Sequence, residues 1–119
     1  MKRRSLIFQG PERTAVCEED FAGPGPGEVL VRTRMSAISS GTELLAYRGH
    51  VPQNMALDAN IASLQGSFTF PFKYGYACVG VVEEAGAGVE PGWVGRNVFS
   101  FHPHESAFSA TTAELIPIA

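Results

Sequence analysis

At 119 residues, 45% of them apolar, the chain is long enough for one compact core and too short for that core plus a nucleotide-binding domain. A charged fraction of 18% and a net charge of −3 argue against a nucleic-acid or anionic-membrane surface, either of which needs a clustered basic excess. No apolar run approaches the roughly 20 residues of a bilayer-spanning helix, so a soluble chain is expected.

Lys2, Arg3 and Arg4 form the only basic run, and the apolar stretch behind it is cut by Gln9, Gly10, Pro11 and Glu12, too early for an export signal. A cytoplasmic location follows as the expectation, with Cys17 and Cys78 as reduced, buried thiols. Residues 6–8 open as a strand and 14–17 form a second. The Gly-Pro alternation of 23–27 is rigid loop chemistry. From 28 to 35 the pattern alternates, placing Val29, Val31, Thr33 and Met35 on one face and Leu30, Arg32 and Arg34 on the other, as in a half-buried antiparallel strand. One or two helical turns are expected over 42–49, where Thr42 is an N-cap candidate, Gly49 closes the run and His50 follows at the helix C-terminus. A further short helix is allowed over 54–65. Phe68, Phe70, Pro71, Phe72 and Tyr74 lead into a buried strand over 76–84, rich in valine. Turns at 85–88 and at Pro91-Gly92 precede strands at 97–101 and 113–118. Many short strands with little helix predict a mainly β domain, a barrel or sandwich.

Four motifs occur in order: Gly-Glu-Val-Leu-Val-Arg at 27–32, Ser-Gly-Thr-Glu-Leu at 40–44, Gly-Tyr-x-x-x-Gly-x-Val at 75–82, and Pro-Gly-x-x-Gly-x-x-Val at 91–98. This order and spacing resembles the N-terminal GroES-like catalytic domain of the medium-chain dehydrogenase/reductase superfamily. Ile38-Ser39-x-Gly41-Thr42-Glu43 and the Gly75-Tyr76 strand are most similar to the branch containing bacteriochlorophyllide-type hydroxyethyl dehydrogenases. The resemblance spans nearly the whole chain. It implies a GroES-like, partly open β-barrel with one or two short helices, and a Rossmann cofactor domain beginning after Ala119. It also implies NAD or NADP held mainly by that domain, with no cofactor-binding residue assigned in this chain. The glycine runs at 23–27 and 86–88 do not follow a strand and open a helix, as a dinucleotide fingerprint must.

In zinc-containing relatives the loop after the 28–35 strand carries a ligand cysteine, and a Gly-His-Glu motif carries a ligand histidine. Here Ser39, or Ser40 with one inserted residue, stands at the first position and Tyr76 at the second. Neither serine nor tyrosine is a normal zinc ligand, and the four close cysteines of the structural-zinc lobe are missing, so neither zinc is expected. Polarisation of a substrate carbonyl then falls to hydrogen-bond donors. Tyr76, Ser39, Ser40 and Thr42 are the catalytic candidates. The structural alternatives are a barrel tyrosine capping a loop carbonyl, serines that shape a turn, and a helix N-cap. Glu43 matches the family's acidic position in the gapped alignment and is otherwise a first-turn helix carboxylate. His102 and His104, on either side of Pro103, are substrate-contact candidates; a metal at these histidines and Glu105 is disfavoured, because a proline-kinked loop does not give regular ligand spacing.

The expected function is the substrate domain of a zinc-independent NAD(P)-dependent oxidoreductase acting on an alcohol, carbonyl or enone, inactive without its cofactor domain and forming a homodimer through it. Its partner is a small molecule rather than nucleic acid or membrane. The alternative is a stand-alone GroES-like module that binds a small molecule or protein without catalysis.

Overall fold

The computed structural model describes residues 1–52, 55–57 and 66–119. Strands β1 (Lys2–Gly10) and β2 (Arg13–Asp20) form an antiparallel ribbon joined at Pro11 and Glu12. Both extend well past their apolar centres because opposite charges face each other across the ladder. Lys2 pairs with Asp20 at 3.0 Å, and the Arg3 guanidinium reaches Glu19 at 2.9 Å.

The larger sheet contains β3 (Glu28–Ser36), β4 (Cys78–Ala85), β5 (Asn97–Ser100), β6 (Ala107–Thr111) and β7 (Ile116–Ile118) in the order β6-β3-β4-β5-β7. All neighbours are antiparallel and neither sheet closes on itself, so the fold is the expected mainly β, partly open arrangement. The strict alternation expected in β3 fails at Leu30, which is buried with Val29 and Val31, and at Met35, which is 68% exposed. Bulges between Leu30 and Val31 and between Thr33 and Met35 shift the side-chain phase.

The α-helix α1 (Thr42–Arg48) follows β3. Gly41, not Thr42, holds the N-cap position, and no side chain caps that end; the N-cap expectation for Thr42 is therefore corrected. At the other end Gly49 adopts φ 74°, its N–H donates to the Ala46 carbonyl, and the His50 N–H donates to Leu45, which together satisfy the last helical carbonyls. The further helix expected over 54–65 lies largely outside the described residues; within it, Ala56 forms an isolated bridge to Ser67.

Two apolar clusters result. Val29, Val31, Cys78, Val82, Val98, Phe108, Ala110 and Leu115 pack within the large sheet. Phe8, Ala46, Phe68, Phe72 and Tyr74 pack between β1, α1 and the aromatic segment before β4. In this second cluster the Phe72 ring meets Phe8 and Phe68 edge-on at 5.1 and 5.5 Å.

Candidate active site

The loop that leaves β3 and the segment that enters β4 are tied together. Ser36 stands opposite Cys78 in the ladder, and the Ala37 N–H donates to the Ala77 carbonyl at 2.9 Å. The loop carrying Ser39 and Ser40 therefore lies beside the segment carrying Tyr76. Beneath the loop, Glu43 is buried at 3% exposure in the first turn of α1. Its Oε2 accepts the Ser39 N–H at 2.5 Å, and its Oε1 lies 2.5 Å from His104 Nε2. The other ring nitrogen, Nδ1, is 2.6 Å from Ser36 Oγ. A hydrogen-bonded chain thus runs from Ser36 through His104 and Glu43 to the Ser39 backbone.

Gly75 makes room for this chain. Its φ is 144°, and a Cβ there would stand 2.7 Å from His104 Nε2. The imidazole consequently lies directly against the backbone one residue before Tyr76.

A second polar cluster binds the ribbon to the large sheet. Glu105, 6% exposed, accepts from Lys73 Nζ at 2.7 Å, lies 2.8 Å from Ser5 Oγ, and pairs with Arg3 at 3.1 Å. His102 Nε2 lies 2.6 Å from its other oxygen, while the imidazole stacks on Phe108 at 3.7 Å. Burial pushes the Glu105 carboxyl up, but hydrogen bonds from His102, Lys73 and Ser5 outweigh it and bring it down to about 2. Glu19 is likewise held below its ordinary value, desolvation being outweighed by Lys73, Ser5 and Arg3.

The candidate residues separate accordingly. Ser39 is half-buried and engaged through its N–H, whereas Ser40 and Thr42 are exposed. Tyr76 is half-buried, with its ring edge-on to Tyr74 at 6.0 Å, and its hydroxyl makes no hydrogen bond among the described residues. His104 joins the Ser39 side of the molecule, while His102 turns to Glu105 and Phe108. Sequence reasoning missed Ser36, Lys73 and the pairing of Glu43 with His104. The latter two are 61 positions apart, and no local spacing signals such a contact.

Zinc would need thiolate, imidazole or carboxylate donors, while Ser39, Ser40 and Tyr76 offer hydroxyls; these residues do not fit a zinc site. Among the described residues no three His, Cys, Asp or Glu side chains converge on a possible ion. Nor do the glycine turns fit a dinucleotide. Gly86 joins strands and packs against the 25–28 turn, where a Cβ would meet the Gly25 carbonyl oxygen at 2.1 Å.

The Alcohol dehydrogenase GroES-like domain family matches residues 25–114. Starvation-sensing protein RspB of Escherichia coli K12 is 28% identical over 95 residues, covering 80% of this chain and 24% of the relative. The 2-desacetyl-2-hydroxyethyl bacteriochlorophyllide A dehydrogenase of Cereibacter sphaeroides is 29% identical over 125 residues, covering 98% of this chain and 36% of the relative. The chain thus spans about a quarter to a third of the length of these curated relatives. Among solved structures, RspB from E. coli CFT073 complexed with NADH superposes with a TM-score of 0.72 at 18% identity, covering 99% of this chain and 39% of that one. Bacillus subtilis 2R,3R-butanediol dehydrogenase gives 0.73 at 17% identity, covering 98% and 40%. At these identities the superpositions show the fold.

Proposed function

Because this chain belongs to the alcohol dehydrogenase GroES-like domain family of the medium-chain dehydrogenase/reductase superfamily, we propose that it is the substrate domain of a zinc-independent NAD(P)-dependent oxidoreductase. Its substrate is an alcohol, carbonyl or enone, and the nicotinamide, which supplies or accepts hydride, is held by a Rossmann domain outside these residues. The observation that supports the reading is the Ala37–Ala77 hydrogen bond, which ties the loop carrying Ser39 and Ser40 to the segment carrying Tyr76; by motif resemblance these residues match the metal-ligand positions of zinc-containing relatives.

The Tyr76 hydroxyl, without a hydrogen-bond partner among the described residues, donates to the substrate oxygen and polarises it. Ser39 and Ser40 supply further hydroxyls from the facing loop, and Glu43 fixes that loop through the Ser39 N–H. Thr42 borders the same loop at the start of α1. The net charge of −3 supports a small-molecule partner over nucleic acid or an anionic membrane. No helix among the described residues is long and apolar enough to cross a membrane, in keeping with a cytoplasmic enzyme. Dimerisation is assigned to the cofactor domain.

The experiment is Tyr76→Phe in the full-length protein. Loss of one polarising donor lowers kcat by about 100-fold with intact folding; unchanged turnover removes Tyr76 from the mechanism.

A further inference from the structure

An apolar cleft of about 330 Å³ opens between β1 and α1, lined by Leu6, Phe8, Ile38, Leu44 and Tyr47, with the buried Glu43 also on its lining. Glu43 is also one end of the chain of short contacts through His104 to Ser36, whose side chain is half-buried at the end of β3. The path therefore begins at an apolar space and ends near solvent. A carboxylate and an imidazole this deeply buried are costly to desolvate, and neutral or apolar groups would clamp the same segments more cheaply. The fold also reserves space for the ring, since residue 75 can carry no Cβ beside His104 Nε2. Both features fit a path for protons better than a fastening.

We propose that the cleft receives the apolar body of the substrate and that Glu43, His104 and Ser36 relay the proton its oxygen gains or loses. The proposal rests on the oxidoreductase reading above and names the substrate class more narrowly, as an alcohol or ketone with a bulky apolar substituent. In the reducing direction the carbonyl carbon takes hydride from a dihydronicotinamide and the oxygen takes a proton from the Glu43 carboxyl. His104 Nε2–H reprotonates Glu43, Nδ1 takes the Ser36 hydroxyl proton, and Ser36 is reprotonated by water. Oxidation moves the same proton in reverse. Glu43 is the group that meets substrate; His104 and Ser36 act through it.

The test is steady-state kinetics of the full-length protein with NADH and NADPH, using a series of methyl ketones of increasing alkyl length as probes. The wild type is expected to gain kcat/KM with chain length until the cleft is filled. Glu43→Gln should lower kcat by about 100-fold or more, with the KM for the ketone within twofold. Ser36→Ala should lower kcat to a smaller extent and raise the solvent deuterium isotope effect, and Ser36→Thr, which keeps the hydroxyl, should restore both. If Glu43→Gln does not fold, the Ser36 pair decides, because that site lies nearer the surface. A wild type that turns over while Glu43→Gln or Ser36→Ala matches it in kcat and isotope effect overturns the relay alone. A wild type with no nicotinamide-linked turnover of any ketone overturns the oxidoreductase reading and the relay together.

Discussion

Replacing Glu105 by Gln should destabilise the domain by an amount set by its carboxylate. In the folded chain burial pushes that carboxyl up, but hydrogen bonds from His102, Lys73 and Ser5 to its charged form hold it at about 2, well below its ordinary value of about 4.5. At about 1.4 kcal/mol for each pH unit, the difference corresponds to about 3 kcal/mol of stability at neutral pH. The side chain is 4% exposed, so solvent screening takes little from this figure. Independently, removing one partner from a buried ion pair costs about 3–5 kcal/mol, and the Arg3 and Lys73 charges would be left facing an amide. Since the folded pKa is depressed, the stabilisation is complete above about 4.5 and is lost as pH falls through about 2. Urea unfolding of wild type and Glu105→Gln, followed by circular dichroism from pH 7 down to pH 2.5, measures both quantities. A gap below about 1 kcal/mol at pH 7, or one that does not narrow in acid, refutes the assignment of Glu105 as the anchor of the cluster.

Gly75→Ala should cost about 2 kcal/mol in the same assay, because φ 144° and the His104 ring both oppose a side chain there. A neutral result would mean that the ring can leave Glu43 freely. Phe72→Ala should cost about 3–5 kcal/mol, since Phe72 joins Phe8, Phe68 and Phe70 in one aromatic cluster. Cys78, buried and with its thiol pushed up by burial, should react with an aromatic disulfide reagent only on unfolding, while Cys17, half-buried on the ribbon, should react first in the native chain.

What the sequence made legible was whatever repeats locally. The valine pattern of β4 and the glycine after α1 each mark an element within a residue or two of where it forms. β6 escaped notice although it lies beside β3 in the sheet, because Ala107, Phe108, Ser109, Ala110 and Thr111 give a weak pattern of small side chains on a strand of only five residues. The site divides the same way. Hydroxyls at Ser39, Ser40 and Tyr76 could be read from motif positions, but their supports come from afar: Ser5 meets Glu105 across 100 positions and Ser36 meets His104 across 68. His102 and His104 look equivalent in sequence on either side of Pro103, yet one stacks on Phe108 and the other bonds Glu43. Only the tertiary fold separates them.

Whether hydroxyl donors replace metal ligands in this enzyme is decided by the zinc content of the purified full-length protein, measured together with turnover before and after a strong chelator. Far less than one zinc per chain, with turnover unchanged by the chelator, is expected. One tightly bound zinc per chain, removed together with activity and restored with it, would contradict the roles given to Ser39 and Tyr76.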